Sequence, residues 1–124
     1  MKRKSVNAAE DMNEMLNAYR EAAIKHRVAS YEGNHRIANQ AYARIHAIFR
    51  QIRDRDADDQ RRFMQLLEDD DMRVRGWVAA HALELDPERA IRILESIAIG
   101  PSSLEEFAAK MVLREWRAGR LRFS

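Results

Sequence analysis

The chain has no cysteine among its 124 residues. This absence excludes disulfides, iron–sulfur clusters, thiolate zinc sites and cysteine nucleophiles, and it fits a reducing compartment. No apolar run approaches the roughly 20 residues of a membrane span, and the N-terminal segment lacks the apolar core of a signal peptide. We therefore expect a soluble, cytoplasmic protein without a membrane segment.

Glycine and proline are scarce, with four and two copies. All of them except Gly76 fall between segments that have helical periodicity. Two-residue hairpin signals and sustained period-two alternation are also missing, so the sequence offers little turn material for a sheet. The sequence predicts an all-α protein.

Neither sign of charge dominates, since the chain has 22 basic and 20 acidic residues. That balance argues against a dedicated polyanion binder. Hydrophobic residues make up 46% and charged residues 34%, which is a globular composition, and the length suits one domain over residues 1–124. We expect residues 1–5, with three consecutive basic side chains, to form a frayed terminus.

Apolar residues recur at helical spacing in six segments, the first from about Val6 to Tyr31 and the fourth from about Met72 to Leu85. A short connection at Gly33–Asn34 separates the first two helices. The positions predicted to face inward are Met12, Leu16, Tyr19 and Ala23; Ile37, Ala41, Tyr42, Ile45, Ile48, Phe49 and Ile52; Phe63, Met64, Leu66 and Leu67; Val74, Trp77, Val78 and Ala82; Ala90, Ile93, Leu94 and Ile97; and Leu104, Phe107, Ala108, Met111 and Val112.

Capping signals mark the starts of the later helices. The acidic run at residues 69–71 can cap the fourth helix, because carboxylates accept hydrogen bonds from free backbone N–H groups. Asp86 followed by Pro87 predicts the start of the fifth helix. A serine–glutamate capping box within residues 102–106 predicts the start of the sixth.

An internal repeat accompanies these helices. Val78-Ala79-Ala80 and Phe107-Ala108-Ala109 lie 29 residues apart, and a helix pair recurring at about thirty residues is the unit of an α-solenoid. Residues 66–98 resemble a HEAT repeat of the short, phycobilisome-lyase-like kind. The matching residues are Leu66, Leu67, Asp69, Asp70, Asp71, Val74, Arg75, Ala79, Ala80, Ala82, Leu83, Ala90, Ile91 and Leu94.

Residues 74–83, Val-Arg-Gly-Trp-Val-Ala-Ala-His-Ala-Leu, and 114–121, Arg-Glu-Trp-Arg-Ala-Gly-Arg-Leu, resemble a small bacterial family, the domain of unknown function twenty-nineteen. The two resemblances imply a right-handed α-α superhelix of the HEAT/armadillo type, with about six helices in roughly three pairs. They bring no established activity, substrate or cofactor.

Two arginines follow the acidic turn. In HEAT-like repeats a turn aspartate and a helix arginine make charge-assisted contacts that align neighbouring repeats, so the resemblance implies a pair between Asp71 and Arg75. The alternative is a ligand clamp formed by Arg73 and Arg75.

The histidines offer a weak metal candidate, because His26, Glu32 and His35 flank the first turn. Zinc requires three or four such ligands, and no HExxH spacing is present, so we expect no metal site. His35 and His46 share a helix face but lie about 16 Å apart, too far to bind one ion.

The tryptophans, Trp77 and Trp116, lie on apolar stripes, where they are either core residues or interface anchors. His81, four residues after Trp77, is either a packed side chain or a catalytic base. Packing is the favoured interpretation for all three.

Charge is distributed unevenly along the second half of the chain. Residues 54–71 carry eight carboxylates and three arginines, which indicates N-capping and a solvated face or, alternatively, a patch for a basic partner. Residues 110–122 carry five basic residues and one acidic one. Arg114, Arg117 and Arg120 step by three beside Trp116. They either follow a phosphate backbone or, as we favour, solvate the last helix and complement its dipole.

Motifs for nucleophilic catalysis and phosphate binding are missing, including GxSxG and a glycine-rich loop. We therefore predict a protein-interaction or scaffold module without catalysis or cofactor, whose partner is another protein. Nucleic-acid binding through the arginine stripe is the alternative. A small HEAT-like enzyme is a third interpretation, disfavoured because such enzymes use longer solenoids.

Overall fold

The computed structural model describes the backbone of residues 2–100 and 103–121 and the side chains of residues 11–100 and 104–121. Within these residues the chain forms six α-helices and one 3₁₀-helix and has no strand, which confirms the all-α prediction. The elements are α1 (Lys2–Glu32), α2 (His35–Arg53), α3 (Ala57–Met64), the 3₁₀-helix (Gln65–Glu68), α4 (Met72–Ala82), α5 (Pro87–Ala98) and α6 (Ser103–Arg117). No described helix is both long and apolar enough to span a bilayer.

Local signals set most of the helix boundaries. Gly33 has a φ of 75°, a conformation that glycine adopts without steric cost, and it ends α1 as predicted. The side chain of Asn34 then accepts a hydrogen bond of 3.3 Å from the N–H of Ile37 and begins α2. Gly119, with a φ of 73°, follows the end of α6 in the same way.

Three aspartates begin the next helices. Asp56, Asp71 and Asp86 each accept a hydrogen bond from a backbone N–H two or three residues later, at 2.9, 2.9 and 3.3 Å. The predicted starts at Asp71 and Asp86 are therefore confirmed. The three caps are spaced 15 residues apart. The predicted capping box of α6 lies partly outside the described residues.

Residues 1–59 form the first of two compact units, in which α1 packs against α2. The two-residue link makes the helices an antiparallel hairpin. The buried apolar residues are Met12, Met15, Tyr19, Ala22, Ala23, Ala29, Ala38, Ala41, Ile45, Ile48, Phe49 and Ile52. The prediction that Tyr42 faces inward is wrong, since it is 51% exposed. Its ring lies at the edge of the buried face, beside His46.

Residues 60–124 form the second unit, in which the 3₁₀-helix packs on α4 and each of α4, α5 and α6 contacts the other two. All four predicted inward positions of α4 are buried. The buried apolar residues of this unit are Phe63, Met64, Leu67, Val74, Trp77, Val78, Ala79, Ala80, Ala82, Leu83, Ala90, Leu94, Ile97, Ala98, Ala109 and Leu113.

The buried face of α6 differs from the predicted one. Phe107, predicted to be in the core, is 62% exposed, whereas Glu105, Ala109 and Leu113 are buried. The other four predicted positions are only half-buried. Apolar side chains cover much of the circumference of α6, so periodicity alone did not select the stripe that meets α4 and α5.

Candidate functional site

Asp71 and Arg73 form the best-defined polar cluster of the second unit. The carboxylate of Asp71 caps α4 and also binds the guanidinium of Arg73 at two points, with Nε–Oδ1 at 2.9 Å and Nη2–Oδ2 at 2.8 Å. This hydrogen bonding is the main cause of a raised pKa at Arg73, and the Coulomb attraction of Asp71 and Glu105 adds to it. Arg73 therefore stabilises the start of α4 by binding the aspartate that caps it.

The predicted pair between Asp71 and Arg75 is not formed. Arg75 instead donates from Nη1 to the backbone oxygen of Asp69 at 2.6 Å, while Arg73 takes the carboxylate of Asp71. The physical reason is the position of each arginine. Arg73 is two residues after the capping Asp71 and reaches its carboxylate, whereas the side chain of Arg75 extends back to the backbone of Asp69. Both guanidinium groups of the alternative clamp are thus engaged within the chain.

Trp77 and His81 belong to the core of the second unit. Trp77 is almost fully buried, His81 is completely buried, and their ring centroids lie 5.8 Å apart. Their spacing of four residues places them on one face of α4. Of the alternatives given above, packing describes both side chains, and neither lies at an open surface.

A cluster that the sequence did not predict joins the two helices of the first unit. The ring of Tyr42 on α2 lies 4.3 Å from that of His46 and 6.1 Å from that of His26 on α1. Burial, followed by the charge of Arg27 and interaction with His46, lowers the pKa of His26 to about 4. Burial likewise lowers the pKa of His46, and the charge of Arg50 adds to the effect. Tyr42 and His46 are four residues apart, but nothing in the local sequence indicates His26 as their neighbour.

The weak metal candidate does not form a ligand set. His26 faces α2, whereas Glu32 and His35 are exposed at the turn. Across the described residues, no group of three or more histidine, aspartate or glutamate side chains is arranged to hold a metal ion.

The acidic segment of residues 54–71 supplies caps and ion pairs. Asp56 caps α3, as Asp71 caps α4. Arg55 binds Asp59 at 2.7 Å and Asp11 of α1 at 3.0 Å, so part of the negative charge is neutralised inside the first unit. The interpretation as caps holds for Asp56 and Asp71.

The exposed side of α6 combines an aromatic ring with basic residues. Phe107, Lys110, Arg114 and Arg117, which we call the α6 face, are all exposed and follow one another at helical spacing. Sequence reasoning identified Arg114 and Arg117 as surface residues but missed Phe107. The spacing of three and four residues that joins Phe107 to Lys110 and Arg114 was the available signal.

Carboxylates of this chain already bind two of the cations on the α6 face. Lys110 binds Glu106 at 3.0 Å, and Arg117 binds Glu95 of α5 at 2.9 Å. Arg114 donates from Nη2 to the sulfur of neighbouring Met111 at 2.9 Å.

Trp116 and Arg120 are not part of the α6 face: Trp116 lies within α6, and Arg120 follows the end of the helix. Arg120 holds Glu115 at two points, 2.7 and 3.1 Å, which lowers the pKa of Glu115. Trp116 is half-buried. The predicted arginine stripe thus consists of three residues with different neighbours.

Comparisons with known proteins agree with this architecture. A crystal structure of the protein RPA1889 from Rhodopseudomonas palustris is similar, with a TM-score of 0.79 and 20% sequence identity over 90% of this chain and 92% of that one. At this identity the likeness shows the fold alone. No curated protein matches the chain. The sequence profile of the family described as domain of unknown function (DUF2019) matches residues 13–116. The chain therefore belongs to this family.

Proposed function

We propose that the protein is a non-catalytic interaction module that binds another protein through the α6 face. The observation that carries the proposal is the exposure of Phe107, 62%, about one helical turn before Lys110 and two turns before Arg114. Burying such a ring in a partner is favourable by about 1.5–3 kcal/mol, and aromatic residues, phenylalanine included, and arginine are enriched at protein interfaces. Of the basic residues that follow Phe107, Arg114 forms no ion pair within the described residues, and together with the exposed ring it favours a partner surface with an apolar pocket beside a carboxylate.

The ion pairs of α6 favour a protein partner over a nucleic acid. A protein binds a phosphate backbone through cationic side chains that displace the counterions condensed on the nucleic acid. The affinity therefore rises with the number of these side chains. Because Lys110 and Arg117 share their charge with Glu106 and Glu95, fewer free cations remain for phosphates. An exposed phenylalanine can also stack on a base, so the experiment must distinguish protein binding from nucleic-acid binding.

We further infer that the helices form a HEAT/armadillo-like right-handed superhelix and that the protein acts in the cytoplasm. The pattern of residues 66–98 supports the superhelix, as does the 15-residue spacing of the caps of α3, α4 and α5, which corresponds to about thirty residues per helix pair. The lack of cysteine supports the reducing compartment.

The experiment identifies the partner by cross-linking in native cells and then measures binding of the two purified proteins by calorimetry. Phe107→Ala should weaken binding at least about tenfold, because hot-spot truncations commonly cost over 1 kcal/mol. Tyr31→Ala is the matched control, since Tyr31 is an 82% exposed aromatic residue of the other unit. Equal affinities for the protein and its Phe107→Ala variant would contradict the proposal.

A salt titration tests the nucleic-acid alternative. We expect no salt-sensitive affinity for duplex or single-stranded DNA tighter than about 10 µM at physiological salt. A tighter affinity that is lost when Arg114, Arg117 and Arg120 are changed to glutamine would overturn the choice of a protein partner.

A further inference from the structure

A cleft of about 240 Å³ lies between the two helices of the first unit. Each helix supplies the same pattern, a polar residue, an alanine and, three residues after the alanine, a basic residue. The lining residues are Glu21, Ala22 and Lys25 of α1 and Gln40, Ala41 and Arg44 of α2.

The two alanines explain why the cleft exists. Ala22 and Ala41 are buried, and their methyl groups are too small to fill the space above them. Because the helices are antiparallel, Glu21 lies at the level of Arg44, and Lys25 lies at the level of Gln40. The cleft therefore has a small apolar floor and polar side chains at both ends.

The polar side chains of the cleft are available to a ligand. Within the described part of the chain, the side chains of Glu21, Lys25, Gln40 and Arg44 make no hydrogen bond and no ion pair. Arg55 of the same unit, by contrast, holds two carboxylates. Two cations, one carboxylate and one amide thus meet around a space without being paired to one another.

We propose that this cleft binds a small acidic amino acid, a ligand with two carboxylates and one ammonium group. Lys25 binds one carboxylate, and the planar guanidinium of Arg44 binds the other at two points. Glu21 binds the ammonium group, and the amide of Gln40 pairs with a remaining carboxylate oxygen. The net charge of the cleft, +1, matches the net charge of the ligand, −1. A phosphate dianion suits the cleft less well because Glu21 repels it.

The size of the cleft agrees with this ligand class. Pockets for drug-sized molecules measure about 300–1,000 Å³, so 240 Å³ suits a molecule of amino-acid size. A ligand with so few atoms in an open cleft binds weakly, with a Kd on the order of 1 mM.

The test is an NMR titration of the ¹⁵N-labelled full chain with L-glutamate. We expect saturable amide shifts centred on residues 21–25 and 40–44, and a Kd raised at least about tenfold in Lys25→Gln and Arg44→Gln, since a charged hydrogen bond contributes that much. Arg36→Gln is the matched control, because Arg36 is an exposed arginine of α2 outside the cleft. Unchanged amide dispersion shows that each variant is folded.

Ligand analogues test the role of Glu21. Glutarate lacks the ammonium group and should bind more weakly than glutamate, and Glu21→Gln should abolish that difference. N-acetyl-glutamate amide mimics a glutamate side chain of a partner protein and should bind more weakly than the free amino acid. Shifts that do not saturate, binding that survives Arg44→Gln, or equal affinities for glutamate and either analogue would overturn the proposal. None of these outcomes bears on Phe107.

Discussion

His26 has a pKa of about 4, and its chemical surroundings explain why. Its imidazole is half-buried against α2 beside Tyr42 and His46, with Arg27 next to it, and none of these three groups offers a negative charge at neutral pH. Burial and the neighbouring positive charge both disfavour the imidazolium. The His26 side chain is therefore neutral in the folded protein at a pH where the same side chain is protonated in the unfolded chain.

This difference predicts a loss of stability in acid. Between about pH 6.5 and about 4 the unfolded state binds a proton at His26 that the folded state does not, so the free energy of unfolding falls as pH falls through that window. Above pH 6.5 both states are neutral and the effect disappears. Urea unfolding of His26→Gln should show a shallower slope in this window, by at most the one-proton value of about 1.4 kcal/mol per pH unit.

The control for this experiment is His35→Gln, since His35 is exposed at the turn. The His35→Gln variant should show the same slope of unfolding free energy against pH as the unmodified protein. Carboxylates also contribute to this slope in both proteins. Parallel pH profiles for His26→Gln and the unmodified protein would contradict the assigned role of burial.

Asp71 combines two functions, capping α4 and binding Arg73. Asp71→Ala removes both and should lower the free energy of unfolding by about 0.5–2 kcal/mol, the usual range for a lost cap. Asp71→Asn keeps a capping oxygen and should cost less, because a partly exposed ion pair contributes little. Equal losses in urea unfolding would show instead that the ion pair is the larger contribution.

At the scale of the helix, α6 shows how the same residues allow two orientations. Leu104, Phe107 and Met111 form one apolar stripe, and Ala109 and Leu113 form another on a different side. The structure buries the smaller stripe, together with Glu105, against α4 and α5. The larger stripe remains partly in water, which is what leaves Phe107 exposed.

The orientation of α6 is testable by truncation. Leu113→Ala should lower the free energy of unfolding by about 2–5 kcal/mol, because it opens a cavity in the core. Phe107→Ala should change it by no more than about 0.5 kcal/mol, as an exposed position does. Chemical denaturation of both variants measures these values. A larger loss of unfolding free energy for Phe107→Ala than for Leu113→Ala would support the orientation of α6 predicted from the sequence.

The sequence predicted the helices better than it predicted their faces. Gly33, Asp71 and Asp86 act on backbone groups within three residues of themselves, so local pattern was sufficient to locate those boundaries. The burial of α4 was also predictable, because its inward residues form one continuous stripe. The face of α6, the cluster of His26 and the cleft between α1 and α2 depend on which helix lies opposite, and that information is not local.

At the scale of the whole chain, the boundary between the two compact units falls at residues 59 and 60, inside α3 (Ala57–Met64). A unit of about 60 residues buries only about 60% of its unfolded surface and is marginal by itself. We therefore predict one cooperative unfolding transition for residues 1–124.

Two spectroscopic probes can test this cooperativity. Both tryptophans, Trp77 and Trp116, belong to the second unit, so their fluorescence reports on that unit, whereas far-UV circular dichroism reports on both. The two probes should give the same midpoint in urea. Midpoints that differ would mean that the units unfold separately.

The pairing of helices in the first unit has a consequence for how the protein is made. All contacts between α1 and α2 lie within residues 2–53, and the chain between the helices is a two-residue turn. Closing so short a loop costs little entropy, and proteins rich in such local contacts fold in microseconds to milliseconds. A ribosome adds about 5–20 residues per second, so the hairpin has time to form while the residues of α4, α5 and α6 are still being added.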